Sequence, residues 1–270
     1  MVDVTGPERD VLALFEGSAS RLVFDDGTSM SASELAADGL RLATWLGEQG
    51  VAPGSRVALR LPNSADYIRL LLACAAGGFV GVSVNTRYSD DEVADLVHRS
   101  GAQTIAGFGL NGPVDPLWAN SAPTQRRRRR DDAFVVFTTS GTTSRPKMVL
   151  QRQHSIADHA VDAAALLGYT SDDTVMAVMP LCGTFGLGSL MVAVAAGSRV
   201  IVTDFELGRT AGLIQSEHVT CVNGSDDMFH RLLEHGADLS SIRLGGYARF
   251  NTSLDGIVER AAAVGATLTG

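Results

Sequence analysis

Six short runs of aliphatic and β-branched residues punctuate the chain: RVALRL (56–61), FVGVSV (79–84), AFVVFT (133–138), TVMAVM (174–179), RVIV (199–202) and VTCV (219–222). Inside each run the apolar character is continuous and does not alternate. Strands of that kind are covered on both faces, and when helices separate them they build parallel βαβ units. The pattern therefore predicts an α/β, doubly wound fold.

The intervening segments agree. Asp25-Asp26-Gly27 between LVF and TSM predicts a small hairpin. Ser31 with Glu34, and Ser89 with Glu92, are capping boxes that open helices, the second running to about Arg99. Further helices are predicted over 64–77, from about 154, in the Gly-rich stretch after 180, over 207–217, near 226–235 and near 253–264. Short strands are predicted at QTIAG (103–107), SIRLGG (241–246) and ATLT (266–269). The one break, between about Leu110 and Asp132, holds three prolines and the run Arg126–Arg130. It divides the chain into 1–112, a Pro/Arg-rich loop at 113–132, and 133–270, with both halves expected to interlock as one domain.

Composition narrows the function classes. The 270 residues carry a net charge of −8, which argues against nucleic acid as a partner and reads the five arginines as a solvated loop. Cys74, Cys182 and Cys221 are odd in number and far apart, so neither a disulfide framework nor a zinc pattern is expected. No apolar stretch is long enough to span a bilayer, and no leader-like segment opens the chain. A cytoplasmic location is expected.

The segment after the third apolar run is FTTSGTTSRPKMV (137–149). Lys147 is the single lysine in a chain whose other basic residues are all arginine. A strand ending in small and hydroxylated residues presents backbone N–H groups at its C-terminal edge, where open α/β sheets bind ligands. Hydroxyl donors and one ammonium complete a phosphate cradle, read here as a strand-to-helix turn. It is not a Walker A loop, since Pro146 and Met148 flank the lysine.

The order of residues resembles the phosphate-binding signature of the adenylate-forming superfamily, roughly [ST]-S-G-[ST]-T-G-x-P-K-G. Thr139, Ser140, Gly141, Thr142, Thr143, Pro146 and Lys147 match it, while Ser144 and Met148 stand where the family has glycines. Residues 31–102 are similar to the early region of acyl-CoA synthetases, through Glu34-Leu35, Gly50-Val51, Gly54, Arg56-Val57, Asn85, Arg87-Tyr88 and Glu92. PLCGTFGLG (180–188) resembles the segment bordering the carboxylate pocket, with Cys182 and Gly183 replacing the family's aromatic residue and histidine. RLGGYARFNTSL (243–254) resembles the stretch beside adenine.

The resemblance implies two mostly parallel sheets with flanking helices, the core of the large N-terminal domain of an adenylate-forming enzyme. It implies ATP, Mg²⁺ and coenzyme A as cofactors and a small-molecule carboxylate, fatty or aryl, as substrate. By the same resemblance Lys147 is catalytic, and Thr139, Ser140, Gly141, Thr142, Thr143 and Ser144 hold ATP phosphates. Gly245, Gly246 and Tyr247 lie on the adenine side, and Cys182, Gly183, Thr184, Phe185 and Gly186 line the substrate pocket. No metal ligand is identified in this chain. The family's C-terminal lysine-bearing domain is not matched, so the chain alone is expected to be incomplete for catalysis. Two alternatives remain open: an enzyme loading a carrier protein, and a degenerate nucleotide- or acyl-binding module. A homo-oligomer is left open.

Other motifs carry less. GFGLNG (107–112) is followed by prolines where a dinucleotide fold needs a helix, and reads as a surface turn. His154 and His159 are five apart, a poor spacing for a shared metal. Asp172-Asp173 and Asp226-Asp227 read as turn or helix-start carboxylates.

Overall fold

The structure is a computed structural model that describes residues 10–103, 116–124, 131–139, 146–251 and 254–269. The predicted strand at 103–107 is represented only by Gln103, which bridges to Val57. GFGLNG, Arg126–Arg130, and Ser140, Gly141, Thr142, Thr143 and Ser144 lie outside the described residues.

In chain order the elements are α1 (Val11–Glu16), β1 (Arg21–Phe24), β2 (Ser29–Ser31), α2 (Ala32–Glu48), β3 (Arg56–Leu59), α3 (Ala65–Gly77), β4 (Val80–Ser83) and α4 (Asp90–Ser100). A 3-10 turn (Pro116–Asn120) precedes β5 (Ala133–Thr139), β6 (Lys147–Arg152), α5 (Gln153–Leu167), β7 (Thr174–Ala177), α6 (Thr184–Ala196) and β8 (Arg199–Val202). Then follow α7 (Leu207–Ser216), β9 (Cys221–Val222), β10 (Gly224–Ser225), α8 (Asp226–Glu234), β11 (Gly245–Ala248), α9 (Ile257–Ala263) and β12 (Leu268–Thr269).

Local chemistry sets the boundaries. Both capping boxes form: Ser31 accepts from the Glu34 N–H at 3.1 Å while Glu34 accepts from the Ser31 N–H at 2.6 Å. Ser89 and Glu92 repeat the exchange at 3.4 and 2.8 Å. The Asp25–Gly27 turn joins β1 and β2 as an antiparallel pair. The predicted strand at 241–246 begins later, at Gly245, because Leu244 makes only a single bridge to Cys221.

The strands form ladders of β2-β1-β8-β7-β9, β10-β11-β12 and β3-β4-β5-β6. The first two are joined by the parallel Cys221–Leu244 bridge, so they act as one surface. Every pairing is parallel except β1–β2 and β5–β6. One core takes in strand residues of both sheet systems, such as Leu22 and Val200 with Val57 and Phe137, together with helices α1, α2, α3, α5 and α6. A second cluster joins the five-stranded sheet to α7, α8 and α9, and a third joins the four-stranded sheet to α4. Both sheets are thus covered on two faces, which is why their strands read as unbroken apolar runs.

The segment around Lys147 differs from the expected strand-to-helix turn. A second strand, β6, intervenes before α5 and runs antiparallel to β5. Its residues Lys147 through Leu150 are exposed, so it lacks the buried apolar signature that marks the other strands.

Candidate functional site: the C-terminal edges of the two sheets

The chain leaves β3, β4, β7, β8 and β10 at one common edge, and there a cleft of about 420 Å³ opens. Its walls come from loops that follow those strands: Pro62-Asn63, Asn85 to Arg87, Val178 to Pro180 with Cys182, Asp204-Phe205, and Ser225. A cleft at the carboxyl ends of strands is where this architecture binds ligands.

Asn63 ties the two sheets together at that edge. Its side-chain amide donates to the Met179 carbonyl at 3.0 Å and to the Thr203 carbonyl at 2.9 Å. Its side-chain oxygen accepts the Leu181 N–H at 2.8 Å. One buried side chain from the loop after β3 therefore satisfies backbone groups in the loops after both β7 and β8.

The hydroxyl-rich segment emerges at the same edge. Val82 pairs with Val136 in parallel register, which carries Asn85 of the cleft wall to the level of Thr139. Across the antiparallel pair, Thr139 stands opposite Lys147, so the two ends of the segment meet as neighbours on one face. Strand alternation assigns that face. Thr138 points outward and exchanges a hydrogen bond with the Tyr88 hydroxyl at 3.0 Å, while Phe137 points into the shared core. Thr139 and Lys147 share the Phe137 side, and Lys147 is exposed.

The other residues singled out by sequence occupy different places. Cys182 lines the cleft, and burial pushes its thiol up to about 11, so it stays protonated at neutral pH and acts as wall. Gly183 is the N-cap of α6, Thr184 is exposed and Phe185 half-buried. A Cβ on Gly186 would stand 2.2 Å from the Pro180 carbonyl oxygen and 2.6 Å from that of Met179, so only glycine lets α6 start against that backbone. On β11, a Cβ on Gly245 would meet Leu268 at 2.3 Å, and one on Gly246 would meet the Asn223 side-chain oxygen at 2.6 Å. That oxygen accepts the Gly246 N–H at 2.9 Å. Tyr247 is half-buried against the second core cluster.

Sequence reasoning missed Asn63, Arg87, Asp204, Asp227 and Arg231 as cleft residues. Asn63, Asp204 and Asp227 share a signal of position, since each lies just beyond a predicted strand or at the start of the helix that follows, whereas Arg231 lies in the last turn of α8. Asp204 is the most informative. Burial raises its carboxyl above the ordinary range and nearby Asp25 adds to that, against the Asn63 N–H, Arg209 and Arg87. Asp226 is a helix-start carboxylate, fully buried, that accepts the N–H groups of Phe250 at 2.8 Å and Asn251 at 2.6 Å and so fixes the rim of the cleft. Arg231 sits over the Phe205 ring with its guanidinium carbon 5.0 Å from the centroid.

At this edge a hydroxyl and an ammonium, the kinds of group that hold a phosphate, stand opposite each other across the antiparallel β5–β6 pair. A divalent ion has no comparable ligand set: among the described residues no three histidine, cysteine or carboxylate side chains come together to hold one. Among the same residues, no helix is long and apolar enough to cross a membrane.

A family model described as AMP-binding enzyme matches residues 13–112 and 109–267. The chain is 29% identical over 238 residues to a feruloyl-CoA synthase of Amycolatopsis sp, covering 80% of this chain and 48% of that protein. It is 30% identical over 233 residues to a 2-succinylbenzoate–CoA ligase of Bacillus cereus, covering 78% of this chain and 47% of that one. Among solved structures, an O-succinylbenzoate coenzyme A synthetase from Bacillus subtilis in complex with AMP superposes with a TM-score of 0.80 at 25% identity, over 98% of this chain and 70% of that one. The chain spans about half the length of the curated relatives it matches.

Proposed function

The chain belongs to the AMP-binding enzyme family, and from that premise we propose that it supplies the ATP-loop and acyl-pocket portion of an AMP-forming acid–thiol ligase. In the first step a carboxylate oxygen bonds to the α-phosphorus of ATP, the α–β phosphoanhydride bond breaks, and pyrophosphate leaves with the bond's electron pair. In the second, the thiol of coenzyme A displaces AMP from the acyl-adenylate. What this portion must provide is fixed positive charge and donors for the departing pyrophosphate.

The register of Thr139 opposite Lys147 at the cleft edge carries the reading. In the proposed step the Lys147 ammonium offsets charge as it moves onto the leaving group, and the Thr139 hydroxyl donates to a phosphate oxygen. The backbones of both are held by a hydrogen-bonded strand pair, which fixes where the two side chains start. Backbone donors of the family signature, Ser140 to Ser144, would add to these.

The names of two relatives, feruloyl-CoA synthase and 2-succinylbenzoate–CoA ligase, make aryl acids the first substrates to offer, with fatty acids second. The test is ATP–pyrophosphate exchange by the full-length protein with those acids. Removal of one preorganised donor costs ~3 kcal/mol of barrier, so Lys147→Ala should lower exchange by more than about a hundredfold with an unchanged circular dichroism spectrum. Exchange within about threefold of the parent would remove Lys147 from the step. Offering coenzyme A or a phosphopantetheine-bearing carrier protein then identifies the acceptor. Ser144 and Met148 in place of two glycines are what favour a non-catalytic nucleotide-binding module. That reading requires nucleotide binding without exchange for any acid offered.

A further inference from the structure

Lys147 begins β6 directly after Pro146, and Thr139 directly follows Thr138. Both preceding residues are held by the layer on the opposite face of the sheet, formed by the turn before α4 and by α4 itself. The Tyr88 hydroxyl bonds the Thr138 hydroxyl at 3.0 Å. Arg99, on the last turn of α4, donates from Nη1 to the Pro146 carbonyl at 3.1 Å. Each of these two side chains is itself fixed. Arg99 donates through Nε to Asp95 at 2.7 Å, one helical turn earlier. The turn carrying Tyr88 is held by Arg60, which donates to the Tyr88 carbonyl at 2.6 Å and pairs with Asp90 at 3.3 Å.

Between these two contacts the described residues leave a pocket. A cavity of about 290 Å³ is lined by Tyr88, Leu96, Arg99, Thr138 and Pro146, with Asp91, Glu92 and Asp95 at its side. The start of β6 is exposed. Close-packed side chains would fix strand position by many small contacts. On this face two directional polar bonds add to the β5–β6 backbone ladder in holding the strand.

We propose that Tyr88 and Arg99 are positioning residues: acting through Thr138 and Pro146, they set where Thr139 and Lys147 stand on the other face of the hairpin. The proposal rests on the reading of Lys147 as a phosphate contact, but its geometric half does not. Lys147 is the chain's single lysine, so a lysine-specific endoprotease reads its exposure directly, with the cut after Lys147 identified by fragment mass.

The test uses the full-length protein carrying Tyr88→Phe or Arg99→Gln, with thermal unfolding to verify folding. Each variant is expected to speed cleavage after Lys147 by about tenfold, as local opening becomes easier, and to lower the kcat of pyrophosphate exchange by about tenfold with the KM for the acid unchanged. Cleavage rate and kcat both unchanged would overturn the proposal. So would a fall in kcat with cleavage unchanged, because Arg99 would then act without holding Lys147. Should Arg99→Gln fail to fold, Asp95→Asn loosens the same guanidinium and is expected to give the same pair of changes in smaller measure. A parent protein with no exchange, or with exchange insensitive to Lys147→Ala, would sink the ligase reading. The cleavage rates would still decide whether Tyr88 and Arg99 hold the strand.

Discussion

The two ends of the five-stranded sheet each carry a buried or half-buried aspartate, and they are treated in opposite ways. Asp173 sits just before β7, at the edge remote from the cleft. It accepts the Thr170 N–H at 2.8 Å, the Thr220 hydroxyl at 2.7 Å and Arg243 Nε at 2.7 Å, and Arg243 Nη2 makes a further bond. Burial pushes its carboxyl up, but Arg243, Thr220 and the Thr170 N–H outweigh burial and hold it well below the usual range. Thr220 and Arg243 lead into β9 and β11, so one carboxylate stitches three adjacent strands. Asp204 follows β8 at the cleft edge. Its carboxylate takes the Asn63 N–H at 3.4 Å, and burial leaves its proton affinity raised. The remote edge is closed with partners, whereas the cleft edge keeps a carboxylate whose charge is not fully compensated. Stability and the proposed ligand contact are divided between the two ends of the same strands.

The sharpest way to break this contrast is Arg243→Ala. It leaves Asp173, only 3% exposed, without its cationic partner. Asp173 is buried but the Arg243 side chain is 44% exposed, so solvent screens the pair and its loss costs about 2.5 kcal/mol, which urea denaturation would read as a lower midpoint. Pyrophosphate exchange by the folded protein should not change. The same pairing gives a pH signature. A folded-state affinity below the unfolded one stabilises fully above the ordinary carboxylate value, near 3.9, and that stabilisation is lost as pH falls below it. The parent should therefore lose stability on acidification more steeply than the variant.

Asn63→Ala is the next largest. It deletes three hydrogen bonds, two of them buried, and strands two carbonyls and one N–H, at about 2 kcal/mol. Because these bonds join loops of both sheets at the cleft, exchange should fall together with stability. A variant that lost stability but kept full exchange would show that the cleft does not depend on this tie.

The sequence already contained the regular part of this arrangement. RVIV (199–202) is β8 without adjustment, and Ser31–Glu34 and Ser89–Glu92 close their capping boxes as written. Such signals are local: a helix start needs four residues and a buried strand needs one apolar run. β6 escaped because KMVLQR lies at a sheet margin and is exposed, so burial never shaped its composition. Asn63, Arg99 and Asp204 escaped because their meaning is a distance between segments. Asn63 reaches residues 116 to 140 positions away, and nothing near it in sequence marks that. Asp173 was read as a turn carboxylate for the same reason, since Arg243 lies 70 residues on. Gly245 and Gly246 read as part of a nucleotide-side motif, and a Cβ at either would also strike Leu268 or Asn223. Small residues record that something comes close without recording what it is.

Asp204→Asn is the smallest expected change in stability and the most telling. A carboxyl whose proton affinity is raised by folding favours the fold most when protonated. Its contribution declines as pH rises above the ordinary carboxylate value toward the raised one. The amide keeps the shape and an oxygen for the Asn63 N–H, but it removes the charge that burial disfavours. At neutral pH the variant should match the parent within about 0.5 kcal/mol or exceed it, and the decline with rising pH should be shallower. A clear loss of stability at pH 7 would mean that Asp204 is held by its neighbours as firmly as Asp173 is. The two ends of the sheet would then not differ in kind, and the cleft edge would have no better claim to a ligand than the remote one.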